Sequence, residues 1–118
     1  MNNTVSNCIF CKIVSGEMPA TPIYEDAQVI AFRDINPAAP VHVLIVPRQH
    51  VDSAHALDAE NVSLMTHIIL AAQKVAIDEK VEASGYRLVM NNGADAGQSV
   101  NHLHMHLLGG RKLSWPPG

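Results

Sequence analysis

The chain has 118 residues, 47% of them apolar, with a formal charge of −3, seven histidines and two cysteines. That length suits one domain with a single core, and the composition excludes a disordered or fibrous chain. No stretch concentrates Lys or Arg, which argues against nucleic acid as the main partner, and no run of about 18 apolar residues exists for a membrane span. The polar start, residues 1–7, lacks the apolar segment of a signal peptide and reads as a flexible leader; a cytoplasmic protein is expected. In that setting Cys8 and Cys11 read as thiols or metal ligands rather than a disulfide.

In chain order, Cys8 to Val14 carries helix spacing, with Gly16 placed to end a short N-terminal helix. Pro19 and Pro22 forbid a long element next, and Ile23-Tyr24 and Val29 to Phe32 predict two short strands around Glu25-Asp26. The prolines of Asn36-Pro37-Ala38-Ala39-Pro40 make a rigid connector. Val41 to Val46, bounded by prolines, predicts a central strand. From Asp58 to about Ser84 the period becomes 3.6, through Met65, Ile68, Ile69, Ala72, Val75 and Ala76. This predicts one long helix with Asp58 as N-cap and Gly85 as stop. Tyr86 to Asn91 reads as a strand, Asn92 to Gln98 as a polar glycine-containing loop, and Val100 to Leu108 as a last strand. The tail, residues 109–118, reads as an extended arm. Strands around one long helix, without strict βαβ alternation, predict an antiparallel α+β fold in one domain over residues 1–118.

The most informative segment is His102-Leu103-His104-Met105-His106. Alternation at the period of a strand predicts three imidazoles on one face and Leu103, Met105 and Leu107 on the other, successive imidazoles roughly 7 Å apart. The preceding loop, Asn91 to Ser99, offers glycines that let backbone amides approach an anion, and a serine hydroxyl. Phosphate donors therefore neighbour imidazoles that can attack phosphorus or carry a proton near neutral pH. Two other readings stay open at this level: rings that only satisfy buried hydrogen bonds, and a three-histidine zinc site. His55 and His67 have no such context and read as surface or interface residues.

The run Gln98 to Leu108 resembles the histidine triad motif of the HIT superfamily. Four further blocks are similar to its Hint branch: Phe32 to Pro37, Pro40 to Pro47, Gly85 to Asn91, and the ending Gly109-Gly110-Arg111 with Trp115-Pro116-Pro117-Gly118. The resemblance implies a homodimeric HIT-like fold that binds purine nucleotides and hydrolyses purine nucleoside phosphoramidates without a catalytic cofactor. By motif position His104 corresponds to the nucleophile, His106 to the group that assists at the phosphate or departing amine, and His102 and His42 to supporting histidines. Asn91, Gly97, Gln98 and Ser99 correspond to phosphate contacts, and Asp34 to the residue that accepts from the ribose hydroxyls. Ile9, Phe10, Ile13, Phe32, Ile35 and Leu44 correspond to the apolar walls around the base; simple core packing is the competing reading for these six. Some bacterial members hold zinc with a C-x-x-C pair, a histidine at the position of His50 and the first triad histidine. This implies a structural zinc on Cys8, Cys11, His50 and His102, a closed Cys₂His₂ set. Alternatives within the resemblance are a dinucleoside polyphosphate hydrolase or nucleotidyl transferase, and a non-catalytic zinc-stabilised nucleotide-binding module.

Overall fold

The computed structural model describes residues 5–118, so of the leader only Val5 to Asn7 are described. Five strands form one antiparallel sheet in the order β1-β2-β3-β5-β4: β1 Pro22–Glu25, β2 Val29–Arg33, β3 Val41–Pro47, β4 Tyr86–Val89 and β5 Met105–Gly109. Two helices accompany it, α1 Ile9–Ser15 and α2 Leu64–Asp78. This is the expected α+β fold, with β3 at its centre.

Period 2 divides the sheet into two chemical faces. Val29, Ala31, Val43, Ile45, Leu103, Met105 and Leu107 face α2 and pack on Ile68, Ala72, Val75 and Ala76. The opposite face carries Ile30, Phe32, Leu44 and Val46, covered by Phe10 and Cys11 of α1 and by Cys8. Both faces of the central strands are thus buried, which explains why β3 reads as a continuous apolar run rather than an alternating one.

Helix α1 forms where its caps permit. The Cys8 thiol accepts from the Cys11 N–H at 3.4 Å, and Gly16, at φ 84°, closes the C-terminus on the Ile13 carbonyl. Helix α2 is shorter than the 58–84 expected, at both ends for local reasons. Asp58 does cap a turn, its carboxylate accepting from the N–H groups of Glu60 and Asn61 at 2.8 and 3.1 Å. That turn runs on into α2, whose first residues Leu64, Met65 and Thr66 still make i→i−3 bonds. At the other end Lys80, at φ 61°, takes the left-handed position that Gly85 was expected to fill. The Val81 N–H returns to Ala76 and the Lys80 N–H to Ile77, while Val81 drops into the core. Side-chain burial at Val81 stops the helix early, through a Schellman turn.

The last strand is also shorter than the 100–108 expected. Extending the β3–β5 register beyond Ile45 opposite Met105 places Leu103 opposite Pro47, which has no N–H to donate. The ladder ends there, and Leu103 bonds instead to the Val51 carbonyl at 2.7 Å. His102 and His104 consequently lie on the approach to β5, and only His106 is within it. β4 ends at Val89 rather than Asn91, and the arm begins at Gly110 because Gly109 pairs with Val41 and Tyr86.

Candidate active site and metal centre

Four histidines meet on the α1-covered face. On β3 and β5, His42 pairs with Leu108 and Leu44 with His106, so His42 and His106 are near neighbours. The His42 and His106 ring centres lie 5.2 Å apart, those of His104 and His106 5.0 Å, and the Phe10 ring stands edge-on to both His102 and His104.

Fixed hydrogen-bonding partners decide the tautomers. A carbonyl can only accept, so His104 Nδ1, 2.7 Å from the His102 carbonyl oxygen, carries a proton and donates it. Its Nε2 is then an unprotonated lone pair with no polar partner among the described residues. The reverse logic applies at His42. The Ala38 N–H can only donate, and it reaches His42 Nδ1 at 3.0 Å, so His42 carries its proton on Nε2. That proton points at His106 Nδ1, 2.9 Å away, which must accept. His106 therefore holds its own proton on Nε2. The Asp34 carboxylate stands 3.5 Å from His42 Nε2 and is anchored by the Asn36 N–H at 2.8 Å.

Burial pushes the His106 pKa down to about 4; the neighbouring His104 and His42 add to this and Asp34 opposes it. His106 is neutral at pH 7 in the free protein. An anionic phosphate beside it would favour its protonation. Asp34, His42 and His106 lie close enough together to suggest a cation site. The tautomer argues otherwise, because the free lone pair of His42 already accepts from Ala38.

Beside the histidines a cavity of about 510 Å³ opens between α1, the 18–23 segment and the edge of β2 and β3. Ile9, Phe10, Ile13, Phe32, Asp34, Ile35 and Leu44 all line it. It is an apolar slot with one carboxylate at its mouth, a shape suited to a flat heterocycle carrying hydroxyls. The glycine loop closes on itself through Gln98, whose side-chain oxygen accepts from the Gly93 N–H while its amide donates to the carbonyls of Asp52 and Val100. Gly97, at φ 90°, makes the bend.

A second cluster lies behind the first. Cys8, Cys11, His50 and His102 each aim one donor atom at a common point. For Zn–S of about 2.3 Å and Zn–N of about 2.0 Å, a tetrahedron sets sulfur and nitrogen about 3.5 Å apart and two nitrogens about 3.3 Å apart. The observed sulfur–Nδ1 separations are 3.4 Å for Cys8–His102, 3.3 Å for Cys11–His50 and 3.6 Å for Cys11–His102, and the two Nδ1 atoms are 3.2 Å apart. The outer nitrogens are held as metal-ligating imidazoles are: His102 Nε2 donates to the Pro47 carbonyl at 2.8 Å, and His50 Nε2 meets Asp52 at 2.7 Å. Burial lowers His102 to about 4, against the pull of Pro47, and keeps it neutral; burial likewise raises the Cys11 thiol. The donor set fits a structural zinc ion and leaves His104 and His106 outside it.

The HIT domain model matches residues 15–113. This chain belongs to the HIT family. Among similar HIT proteins, an uncharacterised HIT-like protein of Synechocystis is 49% identical over 93% of this chain and 96% of its own. The 14 kDa zinc-binding protein of Zea mays is 46% identical over 96% of this chain and 89% of its own. The solved HIT family hydrolase from Clostridium thermocellum superposes with a TM-score of 0.92 at 50% identity, covering 94% of this chain and 96% of that one.

Within this HIT fold the sequence-predicted residues separate into three places. His42, His104 and His106 sit together; all seven residues assigned to the nucleoside line one cavity; and the four assigned to metal converge. The phosphate-side residues are more dispersed. The polar atoms of the Gln98 side chain are engaged in bracing the loop, and Ser99 opens onto a polar cleft of about 370 Å³ shared with His50, Asp52 and Asn101. Sequence reasoning missed the outer cavity wall, Met18-Pro19-Ala20-Thr21 with Ile23. Pro19 in it signals only that no long element forms there, although a segment outside the ladder is well suited to edge a slot. Arg111, which bears on His42 through Ala38, carried no signal beyond its block, and Ala38 none beyond its place in the rigid connector.

Proposed function

We propose that this HIT protein is a Hint-type nucleoside phosphoramidase, hydrolysing purine nucleoside 5′-phosphoramidates through a nucleotidyl group carried on His104. The observation that carries the reading is the opposite polarity of two neighbouring rings: His104 leaves Nε2 as a lone pair, and His106 leaves Nε2 as a donor. One is what a nucleophile needs and the other what a leaving amine needs. The base occupies the apolar slot, and the ribose hydroxyls donate to Asp34. His104 Nε2 bonds to phosphorus as the P–N bond breaks, and the departing amine takes the Nε2 proton of His106. Water then attacks the nucleotidyl-histidine; its proton passes to His106 and the nucleoside monophosphate is freed.

Zinc on Cys8, Cys11, His50 and His102 would clasp α1 to the sheet and hold the His102 carbonyl that orients His104. Dimerisation belongs to the same reading. Val62, Ile69, Leu70 and Ile77 are exposed on and just before α2, β4 is a free sheet edge, and the arm carries an exposed Trp115. No helix among the described residues is long and apolar enough to cross a membrane.

The deciding experiment is mass spectrometry of protein denatured during turnover of an adenosine phosphoramidate. A nucleotidyl adduct on His104 is expected, and turnover without any adduct would overturn the covalent route. Faster turnover of diadenosine polyphosphate than of the phosphoramidate would move the chain to another branch of the family. Nucleotide binding with turnover of neither would make it a binding module.

A further inference from the structure

The relay between His42 and His106 depends on one N–H group in a segment with little to hold it. Asn36-Pro37-Ala38-Ala39-Pro40 has no regular structure, and its two prolines have no N–H. Ala38 itself is exposed, yet its N–H is the donor that fixes His42. Rotating the Pro37–Ala38 peptide would present a carbonyl in place of that N–H. An acceptor facing His42 Nδ1 requires a proton there, so His42 would lose its Nε2 proton, His106 would have to donate through Nδ1, and its outward Nε2 would become a lone pair. Both neighbouring histidines would then present the same polarity.

The chain leaving β5 restrains this from the next peptide along. The Arg111 guanidinium donates to the Ala38 carbonyl at 2.9 Å through Nη2, while Nη1 donates to the Lys112 carbonyl at 3.0 Å and steadies the fork from its own backbone. Gly110 brings the two segments together: at φ 87°, a Cβ on it would stand 2.9 Å from Pro40 Cβ. Ala38 is thus held on both sides, by His42 at its N–H and by Arg111 at its carbonyl.

We propose that Arg111 is a positioning residue of the histidine relay, holding Ala38 so that His42 keeps its proton on Nε2 and His106 presents an Nε2–H. The consequence for turnover rests on the phosphoramidase reading; the consequence for the tautomers does not. Long-range ¹H–¹⁵N correlation spectra of the unliganded full chain should show His42 Nδ1 unprotonated and Nε2 protonated. In Arg111→Ala both rings should move to averaged, intermediate shifts. Arg111→Lys, which keeps one donor for the carbonyl, should recover part of the wild-type pattern, and Ala38→Pro, which deletes the N–H, should reproduce the Arg111→Ala signature. On an adenosine phosphoramidate, Arg111→Ala should lower kcat by roughly tenfold, less than the roughly hundredfold expected for losing an acid outright, with KM little changed. Wild-type tautomers retained in Arg111→Ala, whatever Ala38→Pro does, would overturn the proposal. If the wild-type protein turns over no phosphoramidate, the functional reading fails while the spectra still decide the role of Arg111.

Discussion

His102 and His104 are two residues apart, both buried, both bonded to a backbone carbonyl, and opposite in what they offer. His102 gives its Nε2 proton to Pro47 and turns a free Nδ1 toward Cys8, Cys11 and His50; His104 gives its Nδ1 proton to His102 and keeps a free Nε2. An imidazole has one lone pair when neutral, and whichever nitrogen meets a carbonyl gives it up. Where the carbonyls lie therefore separates a metal-side ring from a phosphate-side ring, although the alternating sequence presents them as equivalents.

The comparison can be broken most severely at His104. His104→Ala should reduce phosphoramidate hydrolysis on the order of 10⁴-fold or more while the metal content is retained, as measured by turnover and metal analysis of one preparation. His106→Ala should cost roughly 10²-fold through loss of the proton donor, and a substrate with a more acidic leaving amine should recover part of the rate. On the metal side, Cys11→Ala should abolish stoichiometric zinc and lower the melting temperature by about 10 °C, with turnover falling less than in either histidine variant. Unchanged melting would show that the clasp does not hold α1.

The smallest effect sharpens the contrast through pH. His106 titrates near 6.5 when unfolded and near 4 when folded, so between these values the unfolded chain binds a proton that the native site refuses. Its contribution to stability is complete above about pH 6.5 and is lost as the pH falls toward 4. Urea midpoints taken at pH 7 and pH 5 should therefore drop further for wild type than for His106→Gln; equal drops would mean that His106 is not desolvated in the folded protein.

The arrangement of elements was legible because period 2 and period 3.6 are local, and prolines and glycines punctuate them. Boundaries were legible where a local signal set them, as at Cys8 and Gly16 and at the starts of β2, β3 and β4. Elsewhere packing won: Val81 entering the core ended α2 before Gly85, and Pro47, more than fifty residues upstream, ended the ladder at Leu103. Likewise the nucleoside residues were assigned from the resemblance of whole blocks, since an isolated Asp34 or Leu44 carries no signal of its own. The 18–21 wall was missed because nothing in the short stretch around Pro19 says what it borders.

By itself, the sequence determined which residues share a face of the sheet and which donor types are present, for strand alternation and side-chain chemistry are properties of the chain. Only the tertiary structure decided what each histidine does. The proton on an imidazole is placed by the group it meets, and those groups, the carbonyls of Pro47 and His102 and the N–H of Ala38, are brought to the rings by folding.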